Sequence, residues 1–379
     1  MTATRWPRAF VAIGVVWFAC WQLGVLVGVG RSTAIVAALY GFVFHVVFGK
    51  AYALVPSYFD RTLAVPRAPA IQLPFTVVGT VVLFVSTVDS GIGGQAETVG
   101  TVLWALGVLV FLGAIGWTIR DNVLGAETGT GGVNRDRRDV DRLANGFVPV
   151  ALGYLAVSAA LSLVGVGGPA RTHLLAAGTA ALLIFALGFR LLPRFLVVSP
   201  TRLAPLVVLV AGAVAPALLA VDFAGGVLFR VGGLLQSVAV VGFAVAFADM
   251  YRRSDRRRIG FPIVLVGALA GVAAVTIGLH LAFVGLDPRL VDAHVRLASL
   301  GFLGLVVVGV SYQFYPPSIG PGDRIAGAVV GLLLAGLAVE TVGILGGAST
   351  ATTAGRALAA LGGVGYAAVI LSLFLGEHV

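Results

Sequence analysis

Charged side chains are scarce in this sequence: Asp, Glu, Lys and Arg together make up 11% of its 379 residues. A soluble globular domain carries roughly 25%, so a water-covered globule is excluded for want of polar surface. Cysteine is nearly absent. Cys20 stands alone inside an apolar run, which excludes a disulfide within the chain and any CxxC metal site. The Gly-rich polar stretch Gly129-Thr130-Gly131-Gly132 lacks the Lys-Ser/Thr ending of a phosphate-binding loop. The segment from Gly125 to Asn145 around it therefore reads as a flexible connector. A cleavable secretion signal is also missing, because the first apolar run, Ala9–Gly30, is too long and has no small-x-small cleavage site.

What is abundant is apolar sequence, 59% of residues, together with 52 glycines. Small side chains at this density let membrane helices approach closely. Twelve runs reach the ~20 residues needed to cross a hydrocarbon core. They are Ala9–Gly30, Thr33–Val55, Ala70–Asp89, Val99–Ile119, Val148–Val166, His173–Leu192, Leu203–Val221, Leu228–Asp249, Pro262–Val284, Val295–Tyr315, Ile325–Leu345 and Ala357–Leu375. The N-terminus and the loops after even-numbered runs hold 17 arginines, against six in or beside the loops after odd-numbered runs, Arg296 among them. Cytoplasmic loops retain positive charge, so this bias predicts a multi-pass cell-membrane protein with both termini cytoplasmic. The net charge of +9 follows from those loops, and the expected partner is the lipid bilayer rather than nucleic acid. The cluster Arg252–Arg258 reads as a positive-inside anchor, with anionic headgroups as its alternative ligand.

The second, sixth and tenth runs share a pattern: a Gly, an aromatic eleven residues on, and a Pro fifteen residues on. The copies are Gly41–Tyr52–Pro56, Gly178–Phe189–Pro193 and Gly301–Tyr312–Pro316. At about 100° per residue the Gly and the aromatic lie within about 20° of each other on one helix face. The copies are separated by four helices each time, an even number that returns the chain to the same side. The expected fold is therefore all-α, a polytopic bundle of twelve helices in three parallel four-helix repeats forming one membrane domain. The repeats run approximately over residues 1–145, 146–258 and 259–379.

Ionisable residues at membrane depth default to a functional reading. His45 lies within the second run, His173 and His294 open the sixth and tenth, and His280 is late in the ninth; His378 is in the C-terminal tail. On an ideal helix His45 and His294 share the Gly face of their runs, whereas His173 lies roughly 140° from Gly178 and needs a local distortion to join it. Imidazoles on equivalent helices suit haem or metal ligation; for any one of them the plain alternative is a hydrogen bond to a neighbouring helix. Lys50 and Arg190 lie near cytoplasmic helix ends and are expected to snorkel to the interface. Glu340, in the eleventh run, is either a proton-accepting carboxylate, a buried partner for an Arg, or a residue at a shallow outer boundary.

The stretches HLLAAGTAALLIFALGFRLLPRF, from His173 to Phe195, and HVRLASLGFLGLVVVGVSYQFYPP, from His294 to Pro317, together with the twelve-helix plan, resemble the haem-copper oxidase large subunit and, closer still, its NnrS-type branch. That family opens these helices with His, carries a mid-helix Gly, and ends in aromatic-His-x-x-Pro, often Pro-Arg-Phe, which Pro193-Arg194-Phe195 matches. The resemblance implies haem, with copper as a further cofactor, a redox or nitric-oxide-related role, and electron-transfer or oxidase-type subunits as partners. His45 and His294 are the expected axial pair and His173 a further ligand, with His280 toward a metal. Gly41, Gly49, Gly301 and Gly309 would admit a flat macrocycle. The chain departs from the family where Ala53, Arg190 and Gln313 stand in place of the His before x-x-Pro, and the seventh run holds no His. A terminal oxidase needs six histidine ligands and this chain has five histidines in all, so it is not a complete one. A transporter or channel using Glu340, Lys50 and the histidines, and a cofactor-free structural relative, are the alternatives.

Overall fold

The structure is a computed structural model describing residues 5–88, 93–223, 225–317 and 321–376, with the backbone alone for 93 and 321–323. Asp89, the expected end of the third run, and His378 lie outside the described residues. Among those described, twelve helices are long and apolar enough to cross a bilayer, which makes the chain a multi-pass integral membrane protein. They are α1 Arg5–Leu26, α2 Arg31–Tyr58, α3 Ala68–Val88, α4 Gly94–Ile119, α5 Gly132–Leu163, α6 Pro169–Leu196, α7 Leu203–Val221, α8 Val227–Arg253, α9 Gly260–Phe283, α10 Pro288–Phe314, α11 Arg324–Gly346 and α12 Ser349–Gly376.

Three helices begin well before their apolar runs: α12, which starts eight residues ahead of Ala357, α10 and α5. In α10, Asp287 caps the helix by accepting from the backbone N–H groups of Arg289 and Leu290, and Pro288 takes the first turn. The helix therefore starts seven residues ahead of Val295 and takes His294 and Arg296 inside it. In α5, a 3₁₀ turn over Gly132–Arg137 leads into α-helix from Arg138, with Asp139 and Asp141 in its first turn.

Helices α2, α6 and α10 differ from the rest in two ways. In the most apolar stretch of each, 78%, 72% and 72% of residues are buried, against 33–44% in the other nine. Each also contains an eight-residue π-helical stretch: Val36–Val43, Leu174–Ala181 and Leu297–Gly304. π-Helix is rare and costs regular hydrogen bonding; Gly41, Gly178 and Gly301 lie within the three stretches. The distortion that His173 required is thus present, since an i→i+5 turn brings residues five apart to the same side. The same distortion invalidates the ideal-helix angles that aligned His45 and His294 with their glycines.

The chain forms two compact units. One comprises Val47–Gly79 and Thr98–Arg256 with a short N-terminal piece; the other comprises Arg8–Val46, Thr80–Glu97 and Arg257–Val379. Within the first, Phe111 packs on Phe48 and Tyr52, and Phe185 on Phe243, at ring separations of 4.8, 5.3 and 5.2 Å. Within the second, Phe18 meets Phe42 at 4.5 Å and Tyr366 at 5.5 Å. Glycine sets close crossings there. A Cβ on Gly336 would lie 2.5 Å from the Ala359 backbone nitrogen, and one on Gly362 would lie 2.8 Å from Leu333. Such contact is the substitute for a hydrophobic drive between helices in lipid.

Candidate functional site

His45 lies on α2 two residues beyond the π-helical stretch and is fully buried. Its Nδ1 is 2.8 Å from the Tyr40 carbonyl oxygen five residues back. A carbonyl can only accept, so Nδ1 carries the proton and donates, which leaves Nε2 with a lone pair. That Nε2 has no hydrogen-bond partner among the described residues, and the Phe10 ring lies 6.1 Å away between centroids. A histidine oriented by a carbonyl at one nitrogen and open at the other has the donor arrangement of a metal or haem ligand.

The other histidines have contacts of their own. His294 directs Nδ1 to the Ala274 carbonyl at 2.8 Å and packs over Gly278. His173 bonds the Pro169 carbonyl at 2.8 Å and lies 5.0 Å from the Phe223 ring. His280 is exposed near the end of α9. No group of three or more His, Cys, Asp or Glu among the described residues is positioned to share a metal ion, so a multi-ligand copper site finds no support in this arrangement. Of the four glycines expected to admit a macrocycle, Gly41, Gly301 and Gly309 face filled space. A Cβ on Gly41 would meet the Trp17 ring at 2.6 Å, on Gly301 the Ala270 methyl at 2.6 Å, and on Gly309 the Gly260 carbonyl at 2.7 Å. These glycines serve helix packing. His45 thus fits haem by its donor chemistry, while Gly41, Gly301 and Gly309 offer no cradle for the macrocycle.

Arg190 does not snorkel. Its side chain is 3% exposed and donates from Nη1 to the Tyr58 carbonyl at 2.7 Å and to Asn145 Oδ1 at 2.5 Å, and from Nη2 to the Thr128 carbonyl at 3.1 Å. Its guanidinium lies 4.1 Å from the Tyr58 ring centroid and its Nε 3.7 Å from Asp141. Asp141, also buried, accepts from Arg194 at 2.5 Å and from the Thr130 hydroxyl at 2.5 Å. Asn145 and Asn122 reach the backbone of Tyr58 and Phe59. Hence the segment expected to be a flexible connector is bonded along much of its length to the ends of α2 and α6. At its exposed start, Arg61 bonds Asp121 at 3.0 Å and Glu127 at 2.6 Å and holds the Asp121 carboxyl below the usual carboxylate range. Lys50 is half-buried on α2.

A second charge cluster was legible only in part. Arg296, expected beside a loop, is buried on α10 and grips Glu340 of α11 through Nε at 2.8 Å and Nη2 at 2.7 Å. Arg356 of α12 donates to the other Glu340 oxygen at 3.1 Å. Gln22 of α1 accepts from Arg296 Nη2 at 3.1 Å, and the Arg296 guanidinium lies 5.5 Å from the Trp21 ring centroid. Glu340 has no exposure at all and is paired with Arg296 and Arg356. The Asp287-Pro288 start signal would have shown that Arg296 is intrahelical.

No protein-family model matches this chain, and neither does any curated protein.

Proposed function

We propose that this chain is a membrane protein on the haem-copper oxidase-like, NnrS-type plan that holds one haem through His45. Its role in this reading is redox or nitric-oxide-related, without a complete terminal oxidase centre. The observation that carries this is the His45 imidazole, with its Nδ1 proton committed to the Tyr40 carbonyl and its Nε2 left without a partner in a fully buried setting. Leaving a buried acceptor unsatisfied costs about 1–3 kcal/mol, and ligation would remove that cost. A haem held through His45 would supply redox-active iron able to bind a small gas. The chain's own contribution is to fix the ligating tautomer through Tyr40 and to keep the site dry. The reading rests on His45 and makes no use of His294 as an axial partner.

The plan of three parallel four-helix units is supported by the recurrence in α2, α6 and α10 of high burial and of π-helix around the repeated glycine. The arginine bias of 17 to six supports a cell-membrane orientation with both termini cytoplasmic. A second reading, a cofactor-free relative of the scaffold, is favoured by the filled faces of Gly41, Gly301 and Gly309.

The two readings separate in the absorption spectrum of detergent-purified protein produced with haem supplied. The first predicts an intense Soret band that is lost in His45→Ala and kept in His294→Ala. Wild-type protein that remains without a chromophore sinks it and leaves the cofactor-free reading.

A further inference from the structure

The cluster of Gln22, Arg296, Glu340 and Arg356 holds more donors than it uses. Arg296 is 92% buried by its 8% side-chain exposure, and Gln22 is 1% exposed. Arg296 Nη1 and Gln22 Nε2 have no hydrogen-bond partner among the described residues, although the two side chains are bonded to each other through Arg296 Nη2 and Gln22 Oε1. The amide orientation is fixed by chemistry, because the reverse would set an NH₂ group against a guanidinium. Both vacancies are therefore donors on adjoining groups. The acceptors beside them are engaged: Gln22 Oε1 and Glu340 Oε2 by Arg296, and Glu340 Oε1 by Arg356.

Charge points the same way. Two guanidiniums face one carboxylate, leaving one positive charge in excess where burial makes it costly. Room for the cluster comes from glycines on α12. A Cβ on Gly363 would lie 2.9 Å from Gln22 Cγ, and one on Gly355 would collide with the Glu340 backbone. The cluster is also within reach of solvent. Gln22, Glu340 and Arg356 lie four, six and seven residues from their helix ends at Leu26, Gly346 and Ser349, about 6–11 Å at 1.5 Å per residue. The Arg356 side chain is 32% exposed.

We propose that this cluster binds a small monovalent inorganic anion, chloride in the first instance, received by Arg296 Nη1 and Gln22 Nε2. The anion accepts from both free donors and neutralises the excess charge, which a water molecule does not do. Because binding is to the folded state, it adds stability that grows with the logarithm of anion concentration above its dissociation constant.

The test is the thermal unfolding midpoint of the purified full-length protein in detergent, titrated from sodium gluconate to sodium chloride at constant ionic strength, with bromide as a second probe. The expected result is a saturable rise with chloride and bromide. Gln22→Leu should lose that rise, and Gln22→Glu, which supplies its own negative charge beside Arg296, should be anion-independent at a midpoint close to that of chloride-loaded wild type. The Gln22→Glu arm keeps the test decisive if Gln22→Leu does not fold. A midpoint that ignores the halide, or a Gln22→Glu variant that responds as wild type does, overturns the proposal and leaves water at these donors. Anomalous scattering from bromide in crystals should locate the ion between Arg296 and Gln22; a bromide site elsewhere overturns the assignment to these residues.

Discussion

Arg296 holds the Glu340 carboxylate through two nitrogens, at 2.7 and 2.8 Å, with Glu340 wholly buried. The pair joins α10 to α11, and Arg356 on α12 closes it from the other side. Ion pairs at this depth add little net stability when intact, because desolvation offsets attraction, but breaking one leaves a charge with nothing to balance it.

Glu340→Gln should therefore destabilise by about 3–5 kcal/mol, the usual cost of removing one member of a buried pair. The measurement is the thermal midpoint and the yield of folded protein in detergent. Arg356→Gln, at a partly exposed position, should cost clearly less. Equal effects would mean that Arg296 and Arg356 share the carboxylate evenly.

The glycines of the repeated pattern should reject a methyl group. A Cβ on Gly178 would lie 2.6 Å from the Tyr154 ring, so Gly178→Ala should cost about 1–3 kcal/mol through overpacking. Gly41→Ala, against Trp17, should behave alike. Gly113, with nothing within 4 Å, is the control and should change stability by under about 0.5 kcal/mol on substitution by Ala.

Arg190→Lys should loosen the segment between Asn122 and Asn145 although the charge is kept. A lysine presents one ammonium and lacks the planar fork that reaches Tyr58, Thr128 and Asn145 together. Losing one charged hydrogen bond costs roughly 1.5–3 kcal/mol, which corresponds to about tenfold or more in the open population. Limited proteolysis within residues 125–137 should accelerate accordingly.

Orientation is open to single-cysteine labelling in a Cys20→Ser background. Val133→Cys and Leu286→Cys replace residues that are 96% and 85% exposed, the first in the opening 3₁₀ turn of α5 and the second between α9 and α10. A membrane-impermeant maleimide added to intact cells should label position 286 and spare 133. The reverse pattern would put both termini outside.

The sequence by itself determined that this is a membrane protein of twelve spans, because hydropathy over ~20 residues is a local property that needs no partner. It also singled out the second, sixth and tenth runs, since Gly and Pro impose their effects on the chain that bears them. The α-helical starts at Pro288 and Arg138 carry local signals in Asp287-Pro288 and in Asp139 and Asp141, but both lie outside the apolar runs. Only the tertiary structure decided where the polar side chains go. Arg190 and Arg296 look alike as isolated arginines near helix ends, yet both turn inward because Asp141 and Glu340, distant in sequence, meet them there. Likewise only the tertiary structure showed a histidine, His45, with a buried and unpartnered Nε2 among the described residues. Pairing and packing depend on which helices become neighbours, and that is a property of the whole fold rather than of any one run.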